Sequence, residues 1–166
     1  MRMINLKSTV NKTVGVKLPE YNVNRVWKQK GQTIPLPYDT VEQMLWNEGF
    51  RNMIDRGILY IDNLQDKIDL GLEPEDAKKP ENIIVVSDAE IKNLLTVSTL
   101  EQFKKSVDRL NRTQIDNIIN YAIVNDLVDV AKAMYLKELT GVDILENVSR
   151  KKKLEEAEKK EKITKK

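Results

Sequence analysis

The chain has 166 residues, long enough for one domain or one domain with a small appendage, and its 40% hydrophobic and 33% charged residues are ordinary for a water-exposed protein. It contains no cysteine and no histidine, so disulfides, thiolate metal sites, the usual zinc ligand and the usual proton shuttle near neutral pH are excluded. The net charge of +2 hides an asymmetry: Arg150 to Lys166 carry nine basic and four acidic residues, or +5, which leaves −3 on residues 1–149.

No apolar run approaches the ~20 residues that span a bilayer, and MRMINLKSTV lacks the uninterrupted apolar stretch of a secretion signal. All five prolines and both tryptophans lie at or before Pro80. The expected class is therefore mainly α, with an irregular first half and a helical second half.

Residues 1–38 read as an extended N-terminal arm or hairpin. Thr13 to Leu18 is a short strand ended by Pro19. Val23 to Gln29 alternates, and Lys30-Gly31 turns it into Thr33–Pro37 as a hairpin. Pro35 and Pro37 confine that second strand to an edge, because proline cannot donate to a ladder. Such an arm has apolar residues and no evident packing partner. Val14, Val16, Tyr21, Val26, Trp27, Ile34, Leu36 and Tyr38 are accordingly expected to bind a neighbouring subunit. Packing on the chain's own body is the plain alternative.

Residues 39–86 read as a small mixed α/β connector. Asp39 caps a short helix with Glu42 at N3, Gly49 and Gly57 bracket a second, and Asp62 caps a third that Gly71 ends. Ile58–Ile61 and Ile83–Val86 are apolar runs expected to pair as strands. Glu73 to Glu81 is an acidic, proline-bounded linker. Asp62, Asp66 and Asp69 share a helix face, but their spacing does not match the twelve-residue calcium loop, and Lys67 stands among them. A solvated face is expected, and no metal site.

Residues 87–149 read as a bundle of short helices. Ser87 with Glu90 and Thr99 with Gln102 have capping-box spacing, and Asn111 with Gln114 starts the next helix. The inward stripes are Ile91, Leu94 and Leu95, then Leu100, Phe103, Val107 and Leu110, then Ile115, Ile118, Ile119, Ala122 and Ile123. Leu127, Val130, Ala131, Met134 and Leu139 form the last one, closed by Gly141. Helices this short are unstable alone and must bury these stripes against one another. Residues 150–166 form a charged tail, helical or frayed, with Glu155–Lys159 and Glu158–Lys162 at favourable spacing.

Little in the sequence carries chemistry. The glycines are isolated, no nucleophile motif is present, and no catalytic residue, cofactor or enzymatic activity is expected. Residues 99–125 have a helix-turn-helix outline with Lys104, Lys105, Arg109 and Arg112 around the turn, but the second helix offers Asp116 beside Gln114, Asn117 and Asn120. Arg150, Lys151, Lys152 and Lys153 are the better phosphate-binding candidates, with a solubilising terminus as the alternative. Trp27 and Trp46 read as packing anchors.

The stretches Asn47-Glu48-Gly49-Phe50-Arg51-Asn52-Met53-Ile54, Gly57-Ile58-Leu59-Tyr60-Ile61-Asp62 and Asp69-Leu70-Gly71-Leu72-Glu73-Pro74-Glu75 resemble small structural proteins of tailed bacteriophages from anaerobic, low-GC Gram-positive hosts. The similarity spans roughly residues 20–145. It implies an accessory capsid or neck protein, made in the host cytoplasm and carried in the virion. Its partners would be other virion subunits (capsid, portal or neck protein) in multiple copies, with no membrane partner and no catalytic residue. A small intracellular regulator, binding nucleic acid or protein through the helical domain and basic tail, is the alternative.

Overall fold

Residues 3–8 alternate apolar and polar, and the computed structural model, which describes residues 1–165, makes them the central strand of the N-terminal half. Strand β1 (Met3–Ser8) turns Ile4, Leu6 and Ser8 inward. It pairs antiparallel with β4 (Thr33–Pro37) on one side and with β5 (Leu59–Tyr60) on the other. β2 (Val14–Leu18) and β3 (Val23–Trp27) form a separate antiparallel pair around a single 3-10 turn, Pro19–Tyr21. Asn22 closes that turn in the left-handed region at φ 56°, a conformation asparagine tolerates better than most residues. The Trp27 indole N–H donates to Leu6 O at 2.9 Å, which ties the pair to β1.

These pairings correct the expected hairpin between Val23–Gln29 and Thr33–Pro37. The proline rule still places β4 at an edge. Tyr38 N–H donates to Arg2 O and Ser8 N–H to Gln32 O, so the even-numbered residues carry the ladder. Pro35 and Pro37 then occupy alternate positions whose missing N–H would point away from β1.

Three short helices complete this unit: α1 (Tyr38–Met44), α2 (Glu48–Asp55) and α3 (Leu64–Asp69). Asn47 and Asn63 cap α2 and α3 through their side-chain oxygens, where the sequence favoured a Gly49 boundary and Asp62. α1 begins after Pro37 with no side-chain cap. Residues 1–38 are thus no arm. Nine of the eighteen buried apolar residues of this core come from them, among them Ile4, Leu6, Val14, Val16 and Trp27. With 53% helix, 14% strand and two antiparallel sheets, the chain is mixed α/β, and the mainly α expectation is overturned.

Ile83–Val86 is also no strand. Its amides find side chains in place of a ladder: Ile83 N–H donates to Glu73 Oε1 at 3.3 Å, and Val86 N–H to the buried Gln114 Oε1 at 3.2 Å. β5 pairs with β1 instead.

The chain divides after Val85 into two units, the first also taking in residues 111–113. The second holds α4 (Asp88–Thr96), α5 (Leu100–Asp108), most of α6 (Arg112–Val124), α7 (Val130–Thr140) and α8 (Ile144–Thr164). Ser87 accepts from Glu90 N–H, Thr99 and Gln102 complete a reciprocal capping box, and Gly141 ends α7 at φ 77°. Ile91, Leu95, Phe103, Val107, Ile118, Ile119, Ala122, Leu136, Ile144 and Val148 make most of its core, and Phe103 meets Tyr135 edge-on at 6.5 Å.

Leu100, expected inward on α5, is 37% exposed, and α7 departs furthest from the expected stripes. It buries Lys132, Ala133 and Leu136 and leaves Val130 and Met134 each 57% exposed. Lys132 is the cause. Its Nζ donates to Leu94 O at 2.8 Å, Leu95 O at 3.3 Å and Ser98 O at 2.7 Å, and lies 5.6 Å from the Phe103 ring centre. The carbonyls at the end of α4 lack helical partners and carry the negative end of its dipole, so a buried ammonium there is fully satisfied. Swinging that face inward turns the Val130–Met134 face out.

Candidate functional site

The residues expected to bind a partner are mostly used within the first unit. Val14, Val16, Trp27 and Leu36 are buried in its core, and Tyr21, Ile34 and Tyr38 are half-buried against it. Val26 alone among them is exposed, at 43%. All but Val26 pack in or against one core, which leaves Val26 and the outer parts of Tyr21, Ile34 and Tyr38 at the surface.

The acidic face of α3 is engaged as well. Arg2 Nε donates to Asp66 at 3.1 Å, its Nη2 reaches Asp69 Oδ2 at 2.7 Å, and its guanidinium lies 4.7 Å from the Tyr38 ring centre. Lys7 Nζ meets Asp62 at 2.7 Å. Asp66 and Asp69 on α3, and Asp62, which precedes that helix and does not share its face, therefore receive two cations from the start of the chain. Hydrogen bonds from the Gln65 amide and from Arg2 hold the Asp69 carboxyl below its usual range, and the two aspartates raise Arg2. Among the described residues no group of three or more carboxylates is arranged to hold a metal ion. Two shallow troughs open to solvent, one along α4 between Ala89 and Val97, the other at Lys17, Asn22 and Arg25.

The basic run at the start of the tail is split. Lys151 Nζ donates to Ile123 O at 2.7 Å and Val124 O at 3.1 Å and pairs with Asp126 at 2.8 Å, so it closes the C-terminus of α6 and depresses the Asp126 pKa. Arg150 pairs with Glu146 one turn back at 2.7 Å. Lys152 and Lys153 are exposed. In the helix-turn-helix outline, Gln114 is fully buried with its amide oxygen on Val86 N–H, so it is not available to read a base edge.

Two other features stand out on the surface. Trp46, expected as a packing anchor, sits in the turn after α1 at 84% exposure. Asp39, Glu42 and Glu48 around it are exposed, and no lysine or arginine occurs from Gly31 to Phe50. The second feature is the distal part of α8. Every residue from Lys152 to Lys165 is exposed, with Leu154 at 62% and Ile163 at 75%.

No family model matches the chain, and no curated protein or solved structure is similar enough to it to count as a match. The surface therefore has to be read from its own chemistry. A single exposed indole is the largest apolar side chain that this surface presents to solvent, and tryptophan is enriched among the residues that dominate protein–protein binding. The local pattern carried no signal for it: Met44 and Leu45 lie three and four residues after Val41 and both pack on the core, and Trp46 follows them directly. No helix among the described residues is long and apolar enough to cross a membrane.

Proposed function

We propose that this chain is a non-enzymatic structural or accessory component of a phage virion that assembles with capsid, portal or neck subunits or with its own copies. The observation that carries the reading is Trp46, left 84% exposed beside a complete core and of a residue type enriched at binding hot spots. The resemblance of residues 47–75 to small structural proteins of tailed phages supports it. The contact in this reading is made through the Trp46 corner, in place of an N-terminal arm. The regulator alternative draws less support, because Arg150 and Lys151 are engaged within the chain.

Mass spectrometry of purified particles from the source organism tests this reading. The chain is expected in intact particles at a fixed ratio to the major subunits, unchanged by nuclease and by moderate salt. Its absence from particles, with salt-sensitive binding to free nucleic acid, would establish the regulator instead.

A further inference from the structure

The proposed assembly role leaves open which surface meets which, and the Trp46 corner and the end of α8 answer each other in charge. Asp39 and Glu42 lie one turn apart on α1, Trp46 follows in the turn after it, and all three are exposed. Glu48 opens α2 two residues later. The corner is an exposed indole with exposed carboxylates four residues before it and two after it, and the first cation beyond, Arg51, pairs with Asp55. The negative face of the ring attracts ammonium and guanidinium groups, and the carboxylates add to that pull.

The end of α8 has a sorted surface. Lys152, Lys153, Lys159, Lys160 and Ile163 lie within one third of the helical wheel, with Glu156 the single acid among them. Glu155, Glu158 and Glu161 lie on the other side with Leu154, Ala157, Lys162 and Lys165, so lysine outnumbers acid only on the first side. One side thus carries four lysines and one glutamate around an exposed isoleucine. This segment packs on nothing, and a helix of that length is marginal by itself in water. Cationic stems with an apolar centre fit an acid-bordered indole, because lysine methylenes cover apolar surface while their heads reach carboxylates.

We propose that the Lys159–Lys160–Ile163 side of α8 docks on Trp46, Glu42 and Glu48 of a second copy of this chain. The inference rests on the assembly reading above and names the partner for it. The contact is heterologous, since the two surfaces are different, so it links copies head to tail into a ring or an open series. It is small, one indole and a few ion pairs, and it belongs with the weak contacts that gain strength by repetition in a particle.

Tryptophan emission of the full-length chain tests it. Trp27 is fully buried, so acrylamide quenching reports Trp46. At low salt, raising the protein from about 10 μM to about 1 mM, the range of a weak contact, is expected to shift emission to the blue and at least halve quenching. At ~1 M salt, where the Debye length is about 3 Å, the effect should vanish. Two surface variants, K159E/K160E and E42K/E48K, should each lose it alone and regain it when mixed, because the acidic tail then meets the basic corner. Quenching that ignores concentration overturns the proposal, and that includes a constant protected state from docking within one chain. So does a mixture that behaves as its components do. Particle mass spectrometry is independent of this result: the chain can be found in virions while the charge swap fails, and that outcome removes only the head-to-tail contact.

Discussion

Glu73 holds a segment that has no regular structure of its own. Its carboxylate is 4% exposed and accepts from the backbone N–H groups of Glu81 (2.9 Å), Asn82 (3.0 Å) and Ile83 (3.3 Å). Burial raises its pKa, but the three amides and the nearby Lys67 outweigh burial, and the net direction is down. A depressed carboxyl stabilises the fold fully above its unfolded value of 4.5, and this contribution is lost as pH falls through the folded value. Replacing Glu73 with Gln is expected to cost about 2 kcal/mol near neutral pH, since one side-chain oxygen and the charge are both lost. Urea unfolding from about pH 7 to about pH 3 checks this. The gap between wild type and E73Q should close toward the acid end. A gap that is constant over the whole range would show that the ionised form does not hold the segment. Glu73 was readable in the sequence only as a linker residue, because its partners are amides, and amides carry no residue identity.

Among the elements, those specified by near neighbours were legible and those specified at long range were not. Ser87, Thr99 and Gly141 act within one turn of chain, and each ends or starts a helix where the spacing placed it. β1 pairs with residues some thirty positions on in β4 and some fifty on in β5, so neither partner is in its local pattern. α7 shows a different failure. Its apolar periodicity is real, yet Lys132 wins the inward position because three carbonyls at the end of α4 need a donor. α8 joins both cases, and its division at Lys151 can be measured. Lys151→Ala should lower Tm by about 2–4 °C, through loss of charged hydrogen bonds to the end of α6. Lys152→Ala and Lys153→Ala should leave Tm unchanged, as should a chain ended after Lys151. Equal effects for all three lysines in calorimetry would mean that the Lys151 contacts do not stabilise α6.

For the whole molecule, the useful fact is that each unit has a buried core of its own. Deleting residues 1–38 takes away nine of eighteen buried apolar residues of the first core and the central strand β1. The first unit is expected to unfold, while residues 86–166 keep their helices. Circular dichroism and amide exchange on the truncated chain check this: strand-region amides should lose protection and those of α5 and α6 should keep it. Protected amides at Leu59 and Ile61 in the truncated chain would show that the N-terminal strands are dispensable to that core. Function was far less legible than fold. The eight residues from Val14 to Tyr38 looked unpartnered because their partners lie elsewhere in the same unit, and Trp46 looked internal because large aromatic residues mostly are.

Pro35 and Pro37 carry a last implication, for crowding. A foreign strand approaching the outer side of β4 would find two of its amide donors absent, so the sheet cannot be extended there. Many molecules of this chain can then be concentrated in one place without that edge seeding fibrils.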